Sequence, residues 1–246
     1  MSIDTSKYNK AVGDDLSKPQ EGGTKFVRKP LEAGSALIRL IQVVDYGVQP
    51  QDSFEGEEKP DVATRQLTFE VVSKKHLEEY EVDGEKKIGA RFLNISYNGM
   101  KISNHPKSTH SKTFMAMNYK GLATKFYELL GEVYKCELVP SKSGNMVYIK
   151  EIKAPMYEEV IEGEGTGKFL PMKAHPQIND SKVFLWDQPF IEDWDALYIE
   201  GNNFIQEKII AAKNYIGSPL QALLSGIDLG EETETIDAEN QLDEIV

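Results

Sequence analysis

The residues best suited to chemistry are the basic and aromatic side chains between Lys86 and Tyr127. These 42 consecutive residues contain no Asp or Glu and carry eight Lys or Arg, in a chain of net charge -12. Basic side chains neutralise phosphates, and aromatic rings stack on unpaired bases for roughly 1–3 kcal/mol each. This mixture favours a sequence-tolerant surface for single-stranded nucleic acid. The candidate binding residues are Lys86, Lys87, Arg91, Phe92, Tyr97, Lys101, Lys107, Lys112, Phe114, Tyr119 and Lys120.

The competing interpretation of this stretch is structural. It places Phe92 and Phe114 in the core and leaves the lysines as a solvated rim. Double-stranded DNA is disfavoured as a ligand, because the sequence has no helix-turn-helix, zinc-finger or basic-helix pattern.

The segment from Asp228 to Val246 has the opposite character, with eight acids and no Lys or Arg in 19 residues. It is too charged to fold alone. Ile245 and Val246 place apolar groups beside a free carboxylate, a shape that a basic pocket of a partner protein can capture. A solubilising end of no specific role is the alternative. The candidate partner-binding residues are Asp228, Glu231, Glu232, Glu234, Asp237, Glu239, Asp243, Glu244, Ile245 and Val246.

The sequence contains no residue set for a disulfide framework, a metal site or a phosphate-binding loop. The single cysteine, Cys136, excludes a disulfide framework and is expected to be a buried small hydrophobe. His105 and His110 have no nearby carboxylate or cysteine in the sequence, so no metal site is predicted. The run 163–168 lacks the spacing of a phosphate-binding loop. We therefore expect no enzyme activity, no catalytic residues and no cofactor.

Composition limits the class of protein. The chain has 246 residues, of which 40% are hydrophobic, enough for a real core. Its most apolar run, 35–44, is interrupted by Arg39 and is too short to span a bilayer. The polar N-terminus is unlike a secretory signal, so we expect an intracellular protein with no membrane partner.

The predicted elements follow one order along the chain. Alternating or β-branched runs predict strands at 36–46, 65–73 and 88–97, and the spacing of Leu122, Phe126, Leu129 and Leu130 predicts a helix face. Two further strands, 133–140 and 146–152, flank a turn at 143–145. Three strands, a helix and two strands is the order of an OB-fold, so the predicted fold is mainly β, a five-stranded OB barrel with its helix between strands three and four.

Composition also divides the chain into regions. The prediction is a flexible N-terminal arm (1–23), an OB-fold nucleic-acid-binding domain (24–154), a Glu- and Gly-rich linker (155–182), a C-terminal helical appendage packed on the barrel (183–227) and a disordered acidic tail (228–246).

Four stretches of this chain resemble tailed-phage single-stranded DNA-binding proteins that have an OB-fold and an acidic C-terminal tail. They are 34–49, 65–71, the stretch from 91–97 through the basic loop to 129–131, and 186–189 leading to 204–209. The resemblance implies that strand three and the loop after it bind the DNA. It carries that role to Arg91, Phe92, Tyr97, Lys101, Lys107, Lys112 and Tyr119.

The resemblance also implies a function. The expected protein coats single-stranded DNA during phage replication, recombination and repair in the cytoplasm of the infected bacterium. Its tail would recruit replication or recombination proteins. Two alternatives stay open: a virion or scaffold protein whose basic loop contacts other subunits, and an RNA-binding OB-fold protein. Homo-oligomerisation also stays open.

Overall fold

Strand β1 is the element on which the rest of the fold is assembled. Its 16 residues, Gly34–Gln49, are apolar and β-branched with few breaks, and nearly all of them are buried. The structure is a computed structural model that describes residues 31–226 except 52, 54, 55, 83, 97 and 145. The predicted N-terminal arm (1–23), the predicted acidic tail (228–246) and Tyr97 therefore lie outside the described residues.

Eleven strands and four α-helices are described. The strands are β1 (Gly34–Gln49), β2 (Val62–Val71), β3 (Glu78–Val82), β4 (Glu85–Gly89), β5 (Phe92–Asn94), β6 (Met100–Lys101), β7 (Val133–Pro140), β8 (Val147–Lys153), β9 (Met156–Ile161), β10 (Glu164–Pro171) and β11 (Lys182–Phe184). The helices are α1 (Thr109–Met117), α2 (Ile191–Ala196), α3 (Phe204–Ile210) and α4 (Pro219–Ser225), and short 3-10 turns occur at Lys74–His76 and Phe126–Leu129.

The main sheet has the antiparallel order β5-β2-β1-β7-β8. The first half of β1 pairs with β7 and most of its length pairs with β2. The short strand β6 continues the line of β5 along β2, and β11 adds to β1 in parallel. The mainly β class is thus confirmed.

The barrel predicted from the sequence does not close in this structure. The edge strands β5 and β8 approach until some of their Cα atoms lie within 8 Å. Among the described residues, however, no ladder of hydrogen bonds joins them. The sheet therefore curls on itself but stays open along one seam, between β5 and β8.

Two hydrophobic cores lie on the two sides of β1. The first is enclosed by the curled sheet and by α1, and includes Ile38, Leu40, Phe69 and Tyr134. The second lies on the outer side, where Val44 and Tyr46 of β1 meet Phe184, Trp194, Ile209 and other residues that follow β10. We call residues 172–226, which build this second core against the sheet, the C-terminal layer.

Three local expectations differ from the structure. The α-helix begins at Thr109, capped by the Ser108 hydroxyl, and the segment around Leu129 is only a 3-10 turn. The predicted third strand is interrupted after Gly89 and resumes at Phe92. Within the composition-predicted linker, β9 and β10 form a ribbon, because Glu162 and Gly163 both adopt positive φ, as a tight two-residue hairpin turn requires.

No helix in the described part of the chain is long and apolar enough to cross a membrane.

Candidate nucleic-acid interface

The outer side of the seam between β5 and β8 carries the best-placed aromatic rings. Leu93 on β5 and Ile149 on β8 point inward, since both pack against the first core. Because side chains alternate along a strand, Phe92 and Tyr148 point outward beside the same seam. Their exposed fractions are 56% and 46%, so both rings are accessible to a stacking partner.

Three exposed lysines lie on the strands that carry these two rings or on elements continuous with them. Lys150 is exposed on β8, two residues from Tyr148 on the same strand. Lys142 is exposed in the turn between β7 and β8, and Lys101 is exposed on β6. Phe92 lies opposite Glu70 and Lys101 lies opposite Thr64, six residues along the regular strand β2. At 3.3 Å per residue, the surface is roughly 20 Å long between them.

We call Phe92, Lys101, Lys142, Tyr148 and Lys150 the seam surface. It combines flat apolar faces with cations along a line, which is what an unpaired strand of nucleic acid needs. Its net charge is moderate, because Glu137 lies directly opposite Lys150 across the β7–β8 ladder.

Lys86, Lys87 and Arg91 belong to a different environment. Lys86 and Lys87 are on β4, which pairs with the glutamate-rich β3 to form a separate two-stranded ribbon. Lys86 lies opposite Glu81, and the Arg91 guanidinium is 3.4 Å from the Glu78 carboxylate. The stretch that is free of acids in the sequence is therefore not free of acids in space.

The next three predicted residues, Lys107, Lys112 and Phe114, lie on helix α1 or just before it. Lys107 precedes the helix and Lys112 lies on it, and both are exposed. The ring of Phe114 turns inward and meets Phe126 edge-on, with 5.1 Å between ring centroids. Phe114 is thus partly buried and engaged in core packing.

Tyr119 and Lys120 lie in the loop after α1. The Tyr119 ring meets the buried Tyr134 ring edge-on, and burial raises the pKa of the Tyr119 hydroxyl. The Lys120 ammonium is 2.6 Å from the Glu132 carboxylate, whose hydrogen bond raises the pKa of Lys120. The charge of Lys120 is therefore already compensated.

Of the ten predicted binding residues that the structure describes, only Phe92 and Lys101 lie on the seam surface. Tyr148, Lys142 and Lys150 were missed by the sequence reasoning. A signal was present, since residues 138–150 also contain no acid, and the outward positions of β8 include Tyr148 and Lys150. What the sequence did not show was that β8 comes to lie beside β5.

The buried titratable groups do not form a reactive site. Burial raises the pKa of the Cys136 thiol to about 12, which keeps it protonated, and confirms the expectation of a buried small hydrophobe. Burial, followed by the charge of Arg65, lowers the pKa of His110, whose ring lies against Phe126. In the described ranges, no three His, Cys, Asp or Glu side chains cluster as metal ligands.

Comparison of the chain with models of protein families, with curated proteins and with solved structures finds no match. Function is therefore inferred from this chain's own residues.

Proposed function

We propose that this protein binds single-stranded DNA without base preference and coats it during phage DNA replication and recombination, without enzymatic activity. The observation that carries the proposal is the seam surface, where Phe92 and Tyr148 are exposed on neighbouring strand edges, with Lys150 on the same strand as Tyr148, Lys142 in the turn before it and Lys101 on the continuation of the Phe92 strand line. Rings supply sequence-tolerant stacking, and lysines supply attraction to the phosphates.

The strand order supports an OB-type arrangement. In chain order, β1, β2, the β5–β6 line, α1, β7 and β8 correspond to the three strands, helix and two strands of that fold. OB-folds are partly open barrels that bind oligonucleotides on the face of strands two and three and with the loop between strands four and five. Phe92 and Lys101 occupy the third strand of this scheme, and Lys142 occupies that loop.

The acidic segment 228–246 completes the proposal. It would recruit replication or recombination proteins and would compete with DNA for the basic surface when no strand is bound. The corresponding location is the cytoplasm of the infected bacterium.

The test is fluorescence anisotropy of a labelled dT oligomer with four single variants. Phe92→Ala and Tyr148→Ala each remove one ring from the seam surface, so each should weaken binding about 10- to 100-fold. Phe190→Ala and Tyr198→Ala remove comparably exposed rings from the C-terminal layer and should leave affinity unchanged. Equal losses in both pairs, or none in the first pair, would refute the proposed interface.

A salt titration reports how many lysines meet phosphate. Three seam lysines predict a slope of log affinity against log salt of about -2, at roughly 0.7 per contact with a single strand. A slope near -6 would instead implicate all eight basic residues of 86–127. A slope of zero would contradict nucleic-acid binding altogether, and competition with rU oligomers separates DNA from RNA preference.

The exposed apolar face of the β9–β10 ribbon favours one other candidate function, a virion or scaffold protein built from subunit contacts. That candidate predicts stable assemblies and no salt-sensitive binding of dT oligomers.

A further inference from the structure

The ribbon formed by β9 and β10 presents an acid and exposed apolar side chains on one face. In the described part of the chain, these two strands pair only with each other. Glu158 lies directly opposite Phe169 across the ribbon, and Met156 and Val160 lie on the same face as Glu158 by strand alternation. Val160 and Phe169 are 61% and 60% exposed, and Glu158 is exposed as well. This face therefore has no cover within the described chain.

The ribbon is negatively charged, and little of its charge is neutralised within the ribbon. Residues 156–171 include four Glu and one Lys, a net charge of -3. Lys168 lies 3.6 Å from Glu159, and Glu158 accepts a hydrogen bond from the Gly167 amide at 2.9 Å. The amide bond orients the Glu158 carboxylate and leaves its charge in place. The ribbon thus holds a carboxylate on the same face as an exposed aromatic ring.

This combination of an anion and a flat ring has the chemistry of single-stranded DNA, which presents phosphates and unpaired bases. The other ribbon of this chain, β3–β4, has it to a lesser degree. There, Lys86 lies opposite Glu81, and Arg91 lies 3.4 Å from Glu78 near the base of the ribbon. Basic groups therefore compensate part of the negative charge of β3–β4.

The seam carries the opposite charge. The segments that border it, 92–101 and 133–153, include five Lys and two Glu, a net charge of +3. Of the two acids, Glu151 already pairs with Lys153, and Glu137 lies opposite Lys150. A surface of this charge attracts the negatively charged ribbon, as it attracts phosphate.

The ribbon and the seam surface also match in length and exposure. The six residues of β9 extend roughly 20 Å, and the seam surface is as long between the levels of Phe92 and Lys101. Phe92 and Tyr148 are exposed in the single chain, and so is Phe169, so the ribbon does not cover the seam of its own molecule. A contact between the two surfaces needs a second copy.

We infer that the seam surface of one copy takes up the β9–β10 ribbon of a second copy, with Phe169 packing on the seam rings and Glu158 meeting a seam lysine. The contact uses the same rings and lysines as DNA, so the ribbon and DNA exclude each other. Association of the copies keeps the binding surface covered until a single strand of DNA displaces the ribbon. This exclusion rests on the proposed function, whereas the contact between two copies does not.

The test is sedimentation velocity of the full chain without DNA, at low salt and at concentrations up to about 0.5 mM, where even weak contacts populate complexes. The ribbon variants are Phe169→Ala, which removes the ring, and Glu158→Gln, which removes the charge but can still accept from the Gly167 amide. Their controls, Tyr80→Ala and Glu79→Gln, make comparable changes at exposed positions of the β3–β4 ribbon.

The wild type and both controls should associate as concentration rises, and salt should weaken the association because opposite charges drive it. Each ribbon variant should associate about 10-fold more weakly, as the loss of one anchoring ring or one charge contact implies. Tyr148→Ala on the seam should have the same effect. A mixture of Phe169→Ala and Tyr148→Ala should recover association, since one variant keeps an intact seam and the other an intact ribbon. Adding a dT oligomer should dissociate the wild-type complexes.

A monomeric wild type, ribbon variants that associate as their controls do, or a mixture that stays monomeric would each overturn the inference. So would a dT oligomer that binds the wild type and leaves its complexes intact. Association through the ribbon without any binding of dT would refute only the proposed function. Binding of dT by a chain that stays monomeric would refute only the contact between ribbon and seam.

Discussion

The outer face of the main sheet is buried over β2 and exposed over the seam. Along β2, the outward residues Thr64, Gln66, Thr68 and Glu70 are polar yet buried, and the C-terminal layer contacts this side of the sheet. Along the seam, the outward residues Phe92 and Tyr148 carry large aromatic rings, and both rings are exposed. Polarity alone would suggest the reverse arrangement.

This contrast shows that the C-terminal layer decides which residues of the outer face are buried. Where the layer docks, the backbone amides of Ile178 and Asn179 donate to the Glu70 carboxylate. Where it ends, the aromatic rings have no cover within the described chain. A buried carboxylate with specific partners, as at Glu70, is a structural feature, and an exposed pair of aromatic rings is a candidate binding feature.

The largest effect should come from breaking the buried contact at Glu70. Its carboxylate accepts from Arg39 at 2.8 Å and from the Asn179 amide at 3.0 Å, and Arg39 also donates to the His175 carbonyl. Glu70→Ala leaves the Arg39 charge buried without its partner, so we expect the free energy of unfolding to fall by about 3–5 kcal/mol. Urea denaturation followed by tryptophan fluorescence measures this change.

The control is a surface ion pair in the same sheet system. Glu132→Ala removes the partner of Lys120 at a site where both side chains reach solvent, so the loss should stay below about 1 kcal/mol. Similar losses for the two variants would mean that the C-terminal layer is not held by the buried contact.

A second loss of stability, where the C-terminal layer packs on the sheet, is predicted for substitution of Gly47. This residue has φ +69°, which favours glycine, and a Cβ atom there would overlap the ring of Trp186 from the C-terminal layer. Gly47→Ala should therefore destabilise the protein by about 2–3 kcal/mol through strain and overpacking. Gly121→Ala, at φ +68° but with open space around it, is the matched control in a thermal melt and should lose only the conformational part.

Strand positions with a regular alternation were predictable from the sequence. The strand 133–140 was predicted with the bounds of β7, and β8 differs from its prediction by one residue at each end. Both strands alternate inward apolar with outward polar residues beside a turn containing Gly144, whose φ is +74°. In such cases the local pattern and the tertiary environment agree.

The helix and the ribbon were not predictable in the same way. Helix α1 reads as a loop because Thr, His, Ser and Lys dominate its first half, and its helical state depends on burying His110 and Met117. The β9–β10 ribbon reads as a linker because glutamate and glycine dominate it. Both states are decided by contacts or turn geometry that composition does not describe.

The candidate site was predictable only in part, for a related reason. A run without acids identifies residues that are close in sequence, whereas a binding surface joins residues that are close in space. The pairing of β4 with β3 brought acids to Lys86, and the approach of β8 to β5 brought Tyr148 and Lys150 to Phe92. Neither pairing could be read from charge counts.

The smallest effect is predicted at Lys150, which lies on the exposed seam surface. Lys150→Ala should weaken binding of a dT oligomer about two- to fivefold at low salt, as one lost phosphate contact implies, and the difference should shrink as salt rises. The free energy of unfolding should change by less than about 0.5 kcal/mol, because the side chain is exposed. Lys213→Ala removes an exposed lysine from the C-terminal layer and should change neither quantity.

A seam residue that alters binding but not stability, beside a Glu70 variant that loses stability, would separate the two regions by function. If Lys213→Ala weakened binding as much as Lys150→Ala, the attraction would come from the whole surface, and the seam would lose its special status.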